Sequence, residues 1–195
     1  RPLVIQAHRG RGKSSALGIA AAEIYLEKGA KTVITAPTKA SCYTAFQHYE
    51  RCIQATLSSK IDIKHALAAF EFIPIDALLS EEVKCHILVI DEAAALPTAA
   101  LSELLGRFSR LVYSTTIHGY EGNGQGFAIR FKKVLDAHFS TWHAITLNTP
   151  IRWLEDDALE PWFFRFLLLD ANLNDTQYPT HQARKIDWIS QQTLF

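Results

Sequence analysis

At 195 residues, of which 48% are hydrophobic and 21% charged, the chain is long enough for a sizeable core and is expected to form one main domain. No apolar run reaches spanning length and no charged-then-apolar leader is seen, so neither a membrane span nor a signal peptide is expected. Twenty basic and twenty acidic side chains cancel in sum, but residues 1–60 and 109–152 are net basic while 61–108 and 153–195 are net acidic. The basic stretches hold the candidate phosphate and nucleic-acid loops, although clustering of this size also arises on ordinary solvated faces. Cys42, Cys52 and Cys85 lack C-x-x-C spacing, which argues against a zinc site or disulfide framework and for a reduced, cytosolic compartment. The chain has no Met and begins at Arg1 just ahead of an apolar strand, so it reads as a module of a longer protein.

Leu3-Val4-Ile5 predicts a buried strand, and Ala7-His8-Arg9-Gly10-Arg11-Gly12-Lys13-Ser14 predicts a phosphate-binding loop that runs through Ser15 into a helix. Gly10 and Gly12 let the backbone turn with its N–H groups inward, Lys13 can reach terminal phosphates, and the Ser14 hydroxyl can ligate magnesium. Ala7 stands at the first position of the G-x-x-x-x-G-K-[ST] pattern, a departure of little cost if φ there is negative. The helix should run to Lys28, with Gly29 as its cap. Lys31 to Pro37 predicts a second buried strand. A helix from Lys39 to Ser58 carries Cys42, Tyr43, Phe46, Tyr49, Ile53 and Leu57 at helical spacing, a stripe read as core rather than as a base-stacking platform. Phe70 to Ile75 alternates like a strand that Pro74 places at an edge or end, and Asp76 to Leu79 begins a short helix or turn.

After His86, the four consecutive apolar residues Ile87 to Ile90 predict a strand buried on both faces that delivers Asp91 and Glu92 at its carboxyl end, where ligands of open parallel sheets sit. Asp91 would hold magnesium, directly or through water, and Glu92 would polarise the attacking water. Leu111 to Thr116 predicts a further strand. Ile117 to Phe127, with four glycines, predicts a loop that contacts a ligand or moves. A basic helix from Phe127 to His138 follows, then a last strand from Trp142 to Leu147, and a turn at Pro150-Ile151-Arg152-Trp153 that brings Arg152 back toward the sheet. Leu159 to Asp170 reads as a helix and Asn172 to Asp175 as a polar loop. The expected organisation is a domain over 1–160 with 161–195 as a C-terminal helix and loop. Alternating strands and helices predict an α/β three-layer sandwich with a mainly parallel sheet, a RecA-like P-loop NTPase rather than a dinucleotide-binding fold, because G-x-G-x-x-G is not met at the first strand.

The segments A-H-R-G-R-G-K-S, I-T-A-P-T, I-L-V-I-D-E-A-A-A-L-P, S-T-T-I-H-G-Y-E-G-N-G-Q-G-F and L-N-T-P-I-R-W together resemble the helicase-like module of bacterial tRNA(Met) cytidine acetyltransferases, up to about Glu160. The resemblance implies an ATP- or GTP-driven module with Mg2+. The parent enzyme would acetylate the wobble cytidine of elongator methionine tRNA with acetyl-CoA, in an acetyltransferase domain following Phe195. It implies a nucleotide site of Arg9, Gly10, Arg11, Gly12, Lys13, Ser14, Ser15, Asp91, Gln125 and Arg152, with Lys13, Glu92 and Arg152 in hydrolysis. Thr35, Pro37 and Thr38 resemble a helicase loop that grips single-stranded backbone. The family carries an arginine where this chain has Gln125, so either Gln125 reaches phosphate through a neutral hydrogen bond or Arg152 or Arg130 supplies the charge. Two functions remain open at this point. One is an NTPase motor acting on RNA, favoured by Glu92; the other is a regulatory or scaffold domain that binds ATP and tRNA with little hydrolysis, favoured by the lack of a second RecA-like domain.

Overall fold

Short strands rich in branched residues alternate with helices along the chain, and the strands pair into one parallel sheet. The computed structural model describes residues 1–116, 123–151 and 158–166, with positions 123–130, 160, 164 and 165 described through the backbone alone. In order the elements are β1 (Leu3–Ala7), α1 (Lys13–Lys28), β2 (Thr32–Thr35), α2 (Tyr43–Thr56), α3 (Lys60–Ala68), β3 (Phe70–Phe72), α4 (Ile75–Ser80) and β4 (Ile87–Ile90). There follow α5 (Thr98–Arg107), β5 (Leu111–Thr116), α6 (Asn123–His138), β6 (His143–Leu147) and α7 (Leu159–Phe166). The sheet order is β3-β2-β4-β5-β1-β6 and every described pairing is parallel. β5 therefore lies between β1 and β4, with Ala7 level with Thr116 on one side and Leu147 on the other.

Two cores account for the layers. On β4, Leu88 and Ile90 face one side and Val89 the other, the period-2 alternation of a strand covered on both faces. Leu88, Ile90, Val4, Val33, Leu111 and Tyr113 pack with Leu78 of α4, Leu101 and Leu104 of α5, and Phe131 and Leu135 of α6. Val89 and Ile34 pack with Leu17 and Ala21 of α1, Tyr49 and Ile53 of α2, and Ala66 of α3. The predicted α/β three-layer sandwich with a parallel sheet is the fold observed. α1 and α2 approach so closely that a Cβ at Gly18 would lie 2.1 Å from the Ala45 carbonyl oxygen, which excludes any side chain there. Gly29 closes α1 in the left-handed conformation, as the cap signal foretold.

Several expectations shift. The helix expected over 39–58 is a 3-10 turn (Lys39–Cys42) followed by α2, on which Tyr43, at the first turn and to one side of the buried stripe, is 63% exposed while Tyr49 is buried. Helices α3 and α5 were not foreseen. β3 is shorter than the strand expected to Ile75, because Pro74 has no N–H and instead precedes α4; it does sit at the sheet edge. The glycine-rich loop expected through Phe127 ends sooner, since α6 begins at Asn123 and takes Gly124, Gln125 and Gly126 into its first turn. Each helical glycine costs about 1 kcal/mol relative to alanine. Burial of Phe131 against Tyr113, ring centroids 4.7 Å apart, outweighs that cost. The rest of that loop and the polar loop at 172–175 lie outside the described residues.

By its contacts the chain divides into Arg1–Asp156 and Asp157–Phe195. Within the second unit, α7 stacks Trp162 on Phe166 with centroids 5.1 Å apart. No helix among the described residues is long and apolar enough to cross a membrane.

Candidate functional site

The loop between β1 and α1 begins where Ala7 ends a buried strand, and Glu92 is the one non-glycine residue described with positive φ, so alanine suits this position. Gly10 and Gly12 have φ of 79° and 74°. Gly12 caps α1, which has no side-chain cap and no acid in its first turn, and the first helical bond runs from the Ala16 N–H to the Gly12 carbonyl. The opening N–H groups of α1 thus lack intrahelical acceptors, and the positive end of the helix dipole faces the loop. That is the chemistry of an anion site.

Lys13 is buried, and its Nζ donates to Thr116 Oγ1 at 2.9 Å. The Thr116 hydroxyl in turn donates to Glu92 Oε2 at 3.2 Å. Ser14 Oγ donates to Asp91 Oδ2 at 2.7 Å, and the Glu92 N–H donates to Asp91 Oδ1 at 2.9 Å, so both oxygens of the fully buried Asp91 are used. A last bond, from the Asp91 N–H to the Thr35 carbonyl at 2.8 Å, anchors the carboxylate turn to β2. Burial lowers the Lys13 pKa from its ordinary value; the charges of Glu92 and Asp91 oppose this, and Arg9 adds slightly to the lowering. Glu92 sits at φ 49°, a left-handed conformation that costs a non-glycine residue on the order of 1–2 kcal/mol.

The sheet order explains why these groups meet. Lys13 follows β1, Glu92 follows β4, and Thr116 ends the strand between them. Lys13, Ser14, Asp91 and Glu92 are therefore brought together as expected from the sequence, while Thr116 was missed. Its only signal was the run of hydroxyls Ser114-Thr115-Thr116 at a strand's carboxyl end. Ser14 and Asp91 offer hard oxygen donors side by side, and the described residues contain no cluster of three or more His, Cys, Asp or Glu. Such a set fits magnesium, which takes few protein ligands and keeps water, better than zinc or calcium.

The other expected site residues fall out differently. Arg9 is exposed on the loop beside half-buried Gly10. Arg11 is buried, with its guanidinium on backbone carbonyls: Nε donates to Asn148 O at 2.7 Å and Nη1 to Arg9 O at 3.5 Å. Thr35, expected to meet RNA, is fully buried because it is the last residue of a central strand, so a surface contact through its side chain is corrected. Pro37 and Thr38 are exposed, and the Thr38 hydroxyl shares a 2.8 Å hydrogen bond with that of Ser41. Gln125 lies in the first turn of α6 rather than on a loop, and its side chain, like that of Arg130, is outside the described residues. Arg152 and Trp153 are outside them as well. Cys42 is fully buried near Asp91, and burial, with that charge adding, pushes its thiol up to about 12.

Comparison with known proteins adds to this geometry. The family model described as RNA cytidine acetyltransferase NAT10/TcmA, helicase domain, matches residues 4–170. The tRNA(Met) cytidine acetyltransferase TmcA of Nitrosococcus halophilus is 45% identical over 88% of this chain and 23% of its own length. That of Vibrio cholerae is 40% identical over 95% and 26%, and that of Thermofilum pendens 36% identical over 86% and 23%. The chain thus spans about a quarter of the length of these curated relatives. Among solved structures, a Bacteroides Pif1 bound to ssDNA is similar with a TM-score of 0.40 and 12% identity, over 84% of this chain and 41% of that one.

Proposed function

The chain belongs to the helicase-domain family of the RNA cytidine acetyltransferases, an enzyme family, and from its site geometry we propose that it binds and hydrolyses a nucleoside triphosphate, ATP or GTP. The observation that carries this reading is the continuous set of contacts joining Ser14 to Asp91, Asp91 to Glu92, Glu92 to Thr116 and Thr116 to Lys13. A plain glycine-rich turn has no reason to gather two carboxylates, an ammonium and two hydroxyls at one sheet edge.

In this reading the N–H groups of Gly10 to Ser15 and the Lys13 ammonium hold the phosphates, with Arg9 adding charge at the rim. Ser14 and Asp91 would hold Mg2+, which supplies charge neutralisation on the phosphate oxygens. Glu92 accepts the proton of a water whose oxygen bonds to the γ-phosphorus as the bond to the bridging oxygen breaks, releasing the diphosphate and inorganic phosphate. Arg152 is our candidate for the charge that Gln125 cannot provide. Residues 1–160 would form this domain, with 161–195 leading toward an acetyltransferase domain that uses acetyl-CoA. The relatives are named as tRNA(Met) cytidine acetyltransferases, so the nucleic acid proposed is elongator methionine tRNA and the supported reaction N4-acetylation of its wobble cytidine, in the cytoplasm. Pro37 and Thr38 are the proposed backbone contacts.

One observation favours the second reading, a nucleotide-dependent scaffold: Glu92 is turned onto Thr116 rather than left open to water. Steady-state phosphate release by the full-length protein, with and without the tRNA, decides. Glu92→Gln keeps size and most hydrogen bonds but removes the base, so turnover should fall about a hundredfold or more while ATP still binds. Turnover at the parent rate would remove Glu92 from the mechanism, and no turnover in the parent, even with tRNA, would leave the scaffold.

A further inference from the structure

The chain leaving β6 lies across the phosphate loop. Because Leu147 is level with Ala7, residue 148 emerges beside the loop's first turn. There the Arg11 Nε donates to the Asn148 carbonyl at 2.7 Å, across 137 residues of sequence, and the Ile151 N–H donates to the Gly10 carbonyl at 3.1 Å. The Ile151 side chain covers Gly12 so closely that a Cβ there would come within 2.2 Å of Ile151 Cδ1. Three successive loop residues, Gly10, Arg11 and Gly12, are thus touched by one four-residue segment.

The peptide plane makes this more than packing. A carbonyl and the N–H of the following residue point in opposite directions across a trans peptide, and no cis bond is described. Holding the Gly10 carbonyl onto Ile151 therefore turns the Arg11 N–H away from the segment. The Arg11 side chain secures the same segment from its other end. An arginine only 8% exposed and bonded to backbone carbonyls has exchanged its hydration for a structural task.

We infer that Asn148–Ile151 is a strap that preorganises the phosphate loop, and that Arg11 is a positioning residue for nucleotide binding, acting through this strap rather than as a phosphate ligand. The inference rests on the nucleotide-binding reading above. It also predicts that loop and strap fail together, since either end loosens the same peptide planes.

The test is calorimetric titration of the full-length protein with Mg·ADP, which is not turned over. Arg11→Ala and Ile151→Pro, the latter removing the N–H donor to Gly10 and the side chain over Gly12 while fixing φ at this position and restricting Pro150, should each weaken binding about tenfold, the worth of one hydrogen bond to a charged or closely held group. The double variant should also lose about tenfold rather than a hundredfold, because both changes open one strap. Arg11→Lys, which can still donate to Asn148, should recover most of the affinity. Losses that add, or a loss in Arg11→Ala with none in Ile151→Pro, would overturn the strap and make Arg11 a direct phosphate ligand. If circular dichroism shows Ile151→Pro unfolded, Ile151→Gly takes its place: it uncovers Gly12 but keeps the donor, so it should show a smaller loss that is again non-additive with Arg11→Ala. Equal binding by parent and variants overturns the strap alone, whereas a parent that does not bind Mg·ADP overturns the nucleotide reading and the strap with it.

Discussion

Replacing Thr116 by Val tests the geometry of the site with one atom. The substitution keeps the branched shape that β5 needs but exchanges the hydroxyl for a methyl group. Two contacts disappear: the acceptor for Lys13 Nζ at 2.9 Å and the donor to Glu92 Oε2 at 3.2 Å. Hydrogen bonds to charged groups contribute about 1.5–3 kcal/mol each, but the second is long and Glu92 is only half-buried, so most of the loss falls on Lys13. Lys13 keeps the attraction of Glu92 and Asp91, which limits its cost. The net destabilisation of the nucleotide-free protein should be about 2 kcal/mol, or roughly 4–8 °C in Tm for a domain of this size. Nucleotide should change the result. Once phosphate oxygens take over Lys13, its bond to Thr116 no longer matters, so calorimetric melting at saturating Mg·ADP should show about half the deficit or less. An unchanged Tm without nucleotide would refute the hydroxyl's role. A deficit of the same size with and without Mg·ADP would refute the exchange of partners at Lys13.

The lowered pKa of Lys13 sets a pH dependence. Its charge is needed for phosphate, so ATP affinity should begin to fall below the ordinary lysine value of 10.5, and Lys13→Ala, weaker by about tenfold or more at neutral pH, should lose that limb of the profile. The sign for stability is opposite: with the folded pKa below the unfolded one, the unfolded chain holds the extra proton in that window, so the burial penalty on Lys13 lifts as pH rises through it, seen as a smaller stability gap between parent and Lys13→Met. Cys42, with its thiol up at about 12 and no exposure, should resist iodoacetamide at pH 8 in the native protein and react in denaturant, which peptide mass spectrometry reads directly. If Arg152 supplies the missing charge, Arg152→Ala should cut ATP turnover on the order of a thousandfold and Gln125→Arg should do little. If nothing supplies it, Gln125→Arg should raise turnover and Arg152→Ala change little. Neither substitution altering the rate would end both arginine accounts.

What the sequence made legible was chemistry that is local in the chain. The phosphate loop must be built from consecutive residues, and an apolar run ending in Asp91-Glu92 declares both a buried strand and its cargo. Strand order is different, because β5 inserts between β4 and β1 by pairing with a β1 more than a hundred residues away, and no local pattern encodes that. Thr116 was missed for this reason alone. The side-chain partner of Arg11 was out of reach for a related reason: a basic glycine-rich loop suggests phosphate, whereas Asn148, to which Arg11 Nε donates, is distant in sequence. The left-handed Glu92 also runs against local preference, as residues at functional sites do when surrounding structure determines them.

The loop is therefore held from two directions that respond differently to a ligand. Toward β5 and β4 it is held by Lys13, whose hydroxyl partner is a weaker anchor than a phosphate would be. Toward β6 it is held by the Arg11 Nε and the Gly10 carbonyl, whose partners are backbone groups of Asn148 and Ile151 rather than a side chain that a phosphate would replace. Nucleotide binding should then release one side and keep the other. On the released side, Thr116 loses the ammonium that polarised its hydroxyl, so its donated bond to Glu92 weakens at the moment a water needs that carboxylate. The contact that holds Glu92 aside in the nucleotide-free protein is thus the one that arrival of a nucleotide would undermine, and in the proposed function Lys13, Thr116 and Glu92 would serve both the resting state and the reaction.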